Sequence, residues 1–265
     1  MPDMAWRTIS GRLGWLVAAT FFVAMVIFAL GRQFHITTPL PEVPPPDATF
    51  VENLIGSFDH QREHWIEDLT SSLLLAVGFV GLAILGTTLR RALDRDDTRG
   101  AVLAVTLLLA GVIGAASQLL YLGATEVATN PEYCDCGFLA EEIVSRQMTH
   151  DIASNIVFWM TDAATLLVAI GLLAFAALAP VSRWVPGGLA VYARVLAVLA
   201  FLSVLWGRVV VPVLLETGTD VDLFQIGGLI TIVLAGLLIP IWAAWLARAA
   251  RGADVATEES VSAAD

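Results

Sequence analysis

The sequence predicts an all-α polytopic integral membrane protein: a bundle of six transmembrane helices, both termini cytoplasmic, with an amphipathic outer helix before the second span. Three observations predict it. The 265-residue chain is 57% hydrophobic and only 15% charged, with mean hydropathy +0.78, which is a membrane composition. Its apolar residues gather in six blocks, about 13–30, 69–89, 101–122, 152–178, 189–214 and 224–247. Each meets the roughly 20 residues, within the usual range, that cross a hydrocarbon core about 30 Å thick. Finally, if six helices alternate, ten arginines (Arg7, Arg12, Arg90, Arg91, Arg95, Arg99, Arg183, Arg194, Arg248 and Arg251) fall on one side. Arg32, Arg62 and Arg146 fall on the other, and Arg208 falls inside a span. Such an excess marks the cytoplasmic side.

Taken in order, the first block follows Arg7 and Arg12 and ends at Ala29-Leu30-Gly31, which loosely resembles a signal-peptide cleavage site. Its apolar run is longer than a usual signal core, which favours a retained helix. The outer segment after it is proline-rich, with Pro44-Pro45-Pro46 together, and should be extended. Asp47 is then placed to cap a helix in which Phe50, Leu54, Phe58, Trp65 and Leu69 recur at mostly helical intervals, with a break expected at Gly56-Ser57. The second outer segment carries the Asn130-Pro131 turn signal and Cys134-Asp135-Cys136 before a helix leading into span four. The third, 216–222, is short and acidic. Residues 1–251 thus form the membrane domain, and 252–265 a polar, acidic cytoplasmic tail expected to be disordered.

Charge is unevenly shared. The outer segments hold sixteen carboxylates against three arginines, a formal charge of 3 − 16 = −13. All fourteen basic residues are arginine, and with pI ≈ 4.7 the composition resembles that of halophilic or other high-GC prokaryotes, for which a cell-membrane location is expected. Acidity of this kind keeps a surface hydrated at high salt, where repulsion is screened within a few ångströms. No phosphate-cradling glycine loop, nucleophile elbow or nucleic-acid-binding basic patch is present. The partner the composition demands is the lipid bilayer, and further subunits of a membrane complex suit a chain with such small loops.

The densest polar stretch is Asp59-His60-Gln61-Arg62-Glu63-His64-Trp65-Ile66-Glu67-Asp68, at the mouth of span two. On a helix His60, His64 and Glu67 or Asp68 share a face. Two imidazoles and a carboxylate could ligate zinc or copper; a solvated, salt-bridged helix start would read the same way. His60 to His64 also fits the H-x-x-E-H pattern of inverted zinc peptidases, but those mount it in a soluble domain this chain lacks. From Asn53 through Asp59-His60-Gln61 to Trp65 the chain resembles helix starts of a bacterial multi-pass family, a short likeness that implies no activity.

His150 and Asp151 open span four, with Glu142 and Arg146 on the same stripe and Asn155 one turn on. With His35 these place every histidine outside or at the interface, so haem held between His150 and a histidine at the mouth of span two is a candidate beside copper and zinc. Cys134 and Cys136 could form a small strained disulfide, bind a soft metal, or be purely structural. Within the bilayer Asp162 and Arg208 lie at equal depth, roughly 10–15 Å from the outer ends of their spans by rise per residue. They could pair structurally or line a proton or ion path. Ser117, Gln118, Asn155 and Thr161 lie at comparable depth, whereas the inner halves hold almost nothing polar. Spans two and four echo each other, with one residue of slippage, in Trp65-Ile66-Glu67-Asp68 and Trp159-Met160-Thr161-Asp162; chance likeness between Leu/Ala/Val-rich helices accounts for this more readily than a parallel duplication of the kind some transporters carry. Three functions follow: a metal or haem protein with an outward-facing His/carboxylate site, an ion-coupled small-solute transporter, or a non-catalytic subunit.

Overall fold

A computed structural model describes residues 2–34, 36, 49–129, 140–216 and 223–262. Among these the secondary structure is helical throughout, with no strand. Helix α1 is Pro2–Phe28, ending in a π turn at Ala29–Gln33; α2 is Phe50–Glu63, α3 Trp65–Ala92, α4 Thr98–Thr129 and α5 Ala140–Leu178. The fifth span is built from α6 (Gly187–Leu205), a π segment (Trp206–Val210) and α7 (Val211–Glu216). The sixth is α8 (Leu223–Thr231), a π segment (Ile232–Leu238) and α9 (Ile239–Ser262). Six stretches are long and apolar enough to cross a membrane: Met4–Gly31, Trp65–Ala92, Thr98–Val127, Ile143–Val181, Gly187–Leu214 and Leu229–Gly252. They overlap the six apolar blocks. The first four extend beyond their blocks at both ends, because a helix continues past the hydrocarbon wherever its flanking residues propagate it; the fifth extends only at its start, and the sixth is shifted from 224–247 to 229–252.

The spans form an antiparallel ring. Helix α1 packs between α3 and α9, then α3 against α4, α4 against α5 and α5 against α6. The α6–α9 gap is bridged by the Tyr192 hydroxyl, which donates to the Leu238 carbonyl at 3.0 Å. At the end that bears both termini the ring is filled. Leu85, Leu89, Leu103, Leu107, Phe175, Leu189 and Trp242 are fully or almost fully buried, and the Phe175 and Trp242 rings meet edge to face across the centre at 5.6 Å. Close approach of α3 and α4 depends on Gly111, where an added Cβ would stand 2.3 Å from the Phe79 carbonyl oxygen. Small residues at such crossings let helices gain dispersion contacts that lipid cannot supply.

Three sequence expectations change. Helix α2 runs unbroken through Gly56-Ser57 and ends at His64 instead, whose backbone (φ −88°, ψ 0°) separates α2 from α3. Its N-cap is Thr49, while Asp47 lies outside the described residues. The Thr49 hydroxyl accepts from the Glu52 amide as the Glu52 carboxylate accepts from the Thr49 amide, a reciprocal box that satisfies two otherwise unpaired donors. The carboxylate also accepts from the Thr49 hydroxyl, and the bonds it receives from Thr49, the backbone amide foremost and then the hydroxyl, hold the Glu52 carboxyl below its ordinary range. Lastly, the acidic tail is not disordered from Arg251: helical backbone continues to Ser262, as α9 propagates through Ala249, Ala250 and Ala253, the best helix formers.

Candidate functional site

Polar side chains concentrate at the opposite end of the ring, where α2 lies across α4 and α5 and anchors itself with the buried Phe58. The stop at His64 has a direct consequence. Trp65 starts a new helix, and the His64 ring turns inward until it is wholly buried. Its Nδ1 stands 2.9 Å from Glu67 Oε2, and the His60 ring packs edge to face on it at 4.7 Å between centroids. His60 Nδ1 in turn lies 3.8 Å from Glu63. Glu67 reaches over the end of α1, where a Cβ on Gly31 would fall 1.9 Å from its Oε2, so a side chain there would displace this carboxylate from its present position. Four residues thus clamp α2, α3 and the end of α1 together.

Asp68 takes another direction. It is buried and accepts a long hydrogen bond from the Tyr121 hydroxyl of α4 at 3.4 Å. One turn along α4, the carbonyl of Ala124 lies 3.4 Å from His150 Nδ1, whose Nε2 has the Ser154 hydroxyl at the same distance. Asp151 is exposed and accepts from Gln147 at 2.7 Å, while the Asn155 amide donates to the Asp151 carbonyl at 2.8 Å. Ser117 is buried and spends its hydroxyl on the Gly114 carbonyl. His60, His64 and Glu67 therefore form one cluster, and His150 with Ser154 another on a different helix. Among the described residues, no three His, Cys, Asp or Glu side chains converge as metal ligands. His35, Cys134 and Cys136 lie outside the described residues.

Deeper in the ring, Asp162 of α5 and Arg208 of the fifth span form an ion pair through Oδ2 and Nε. The guanidinium also lies over the Trp159 ring, 4.0 Å from its centroid. The pair is 27% and 31% exposed. Around it the fifth span packs on little else: from Phe201 to Glu216, no described side chain is buried. Arg208 sits within the Trp206–Val210 π segment, and the other two π segments occupy the same half of spans one and six. Single π turns recur at functional positions because they break the helical hydrogen-bond register locally.

Both Trp-x-x-Asp carboxylates contact the following span, in different ways: Asp68 accepts from Tyr121 of span three, and Asp162 pairs with Arg208 of span five. Sequence reasoning missed the π segments, for which the only local signal is the charge of Arg208 within an apolar run. It also missed the His64 break, which has no glycine or proline to mark it. No family model, curated protein or solved structure matches the chain.

Proposed function

We propose that this chain is an ion-coupled membrane transport protein, its working half being the end that carries α2 and its coupling residue being Asp162. The Asp162–Arg208 pair carries the reading. Charge at hydrocarbon depth costs about 3 kcal/mol or more per group and is kept where it faces a partner or a wet cavity. Here the two charges are each other's partner, yet remain partly exposed, on a helical segment that buries no side chain of its own. A proton or small cation arriving at Asp162 competes with Arg208 for the carboxylate. Loss of that attraction frees Arg208, and with it the outer half of the fifth span. The filled opposite end keeps the path closed beyond.

Reconstitution in vesicles loaded with a pH-sensitive dye tests this. The wild-type protein is expected to carry a solute-dependent proton or cation flux, and Asp162→Asn to remove it while the purified variant still folds. Unchanged flux in Asp162→Asn overturns the reading.

A second reading, copper or zinc held by His60 and His64, is supported by the Glu67 oxygen on His64 Nδ1, the kind of carboxylate partner that orients metal-binding histidines. A third donor would have to come from beyond the described residues. Metal analysis of purified protein decides it, and a metal-free preparation whose stability ignores chelator counts against it.

A further inference from the structure

The termini-bearing end holds a feature that neither reading uses. Between α1, α3 and the start of α4 lies a cleft of ≈ 580 Å³ whose lining includes Trp6, Arg90, Arg91 and Arg95. The Arg91 guanidinium lies over the Trp6 indole, 4.7 Å from its centroid. Arg90 staples the connection after α3 by donating from Nε to the Arg95 carbonyl at 3.2 Å. Two carboxylates also line the cleft, Asp94 and Asp96. Asp96 is fully exposed and holds Arg90 at 3.2 Å, the kind of surface pair that contributes little and exchanges readily. Three guanidiniums against two carboxylates leave one net positive charge in the lining.

Depth and floor argue for one occupant. Thr87 and Ala104 are the lining residues of α3 and α4 farthest from the connection between those helices, and Thr87 is five residues from the end of α3 at Ala92, roughly 7 Å along a helix. That is about the thickness of one headgroup layer, taken as half the difference between a roughly 40–45 Å bilayer and its roughly 30 Å core. Beyond it the same helix faces continue as Ile84, Val80 and Leu108, all exposed and apolar. An anion bound among the arginines would thus be joined directly to a surface for acyl chains.

We propose that this cleft holds the phosphodiester headgroup of an anionic phospholipid, with Arg91 and Arg95 on the phosphate and the tails on Val80, Ile84 and Leu108. Basic pockets between spans at the arginine-rich side are suited to such headgroups, and a planar guanidinium already stacked on an indole loses little freedom on binding phosphate.

Native mass spectrometry of the full chain in detergent, titrated with phosphatidylglycerol or phosphatidylcholine, tests it. Phosphatidylglycerol adducts are expected to survive activation that strips phosphatidylcholine. Their retention should drop about 5-fold in Arg95→Gln and about 25-fold in Arg91→Gln/Arg95→Gln, taking each arginine at the strength usual for basic groups near an anionic surface. Arg183→Gln, an exposed arginine at the same end but outside the cleft, should retain the lipid as wild type does. Three results would overturn the proposal: equal retention of both lipids, equal loss in Arg183→Gln, or complete displacement of the lipid by millimolar inorganic phosphate. The last would mark a soluble-anion site. Arg95→Gln keeps the experiment decisive should the double variant misfold, because Arg95 contributes its backbone carbonyl, not its side chain, to the Arg90 staple.

Discussion

The two ends of the bundle are built on opposite principles. At the termini-bearing end apolar side chains from all six spans meet in the centre, and the cross-ring contact of Phe175 and Trp242 needs no polar atom. At the other end spans two to four still pack closely, but the fifth is attached to the fourth through an ion pair and an aromatic face. Apolar packing is spread over many small contacts and changes little when one is lost. A single charged pair concentrates attachment in one place, where one proton or ion can undo it. The contrast teaches that the polar end is poorer in contacts where it is richest in chemistry.

Replacing Trp242 with alanine should test the contrast most severely. Emptying that position is expected to cost about 3–5 kcal/mol, read as a large fall in thermal unfolding temperature in detergent. Trp242→Phe should cost clearly less, since it keeps an aromatic ring in place of the indole, removes an N–H that finds no hydrogen-bond partner among the described residues, and leaves a smaller cavity. Asp162→Asn should cost less, about 1–3 kcal/mol for a lost charge-assisted hydrogen bond. The double variant Asp162→Asn/Arg208→Gln should be more stable than additivity allows, and strict additivity in a double-mutant cycle would show that the two charges do not interact.

His64→Gln should act more locally still. Detachment of α2 by about 1 kcal/mol would appear as faster amide exchange across Phe50–Glu63, with the melting temperature of the spans unmoved. Smallest of all is the α2 cap. Because the Glu52 carboxyl is held below its ordinary range by Thr49, its contribution is present above that range and is lost as pH falls through the lowered folded value. Exchange in the first turn of α2 should therefore quicken on acidification. Thr49→Ala, which keeps the backbone amide on the carboxylate, should weaken that pH dependence, and Glu52→Gln, which removes the titrating carboxyl, should abolish it.

Most of the fold was legible because hydrocarbon thickness and helical rise fix the length of an apolar block that spans, and six blocks announce themselves. Asp162 and Arg208 could be placed at one depth by counting residues, since both lie within regular or nearly regular helix. The α2–α3 junction could not. Gly56-Ser57 is the weakest point by propensity, but α2 packs across α4 and α5 through Phe58, and tertiary packing overrides a local preference of about 1 kcal/mol. His64 breaks the chain because its ring is claimed by Glu67 and His60, partners that no local pattern singles out. The choice of Glu67 over Asp68 has the same origin, as Gly31 at the end of α1 opens space for one carboxylate and Tyr121 engages the other.

The π segment around Arg208 has one more consequence. A π turn is an α-helix carrying one surplus residue, and a surplus can be handed along the helix without any turn being unwound. Each residue of an α-helix advances the chain by about 100° around its axis. If the surplus moved toward the filled end, Arg208 would be carried through about that angle. It would leave Asp162 and the Trp159 face for a neighbouring direction, while Gly187–Leu205 stayed anchored. Such a shift would turn this part of the fifth span about its own axis and would need no hinge.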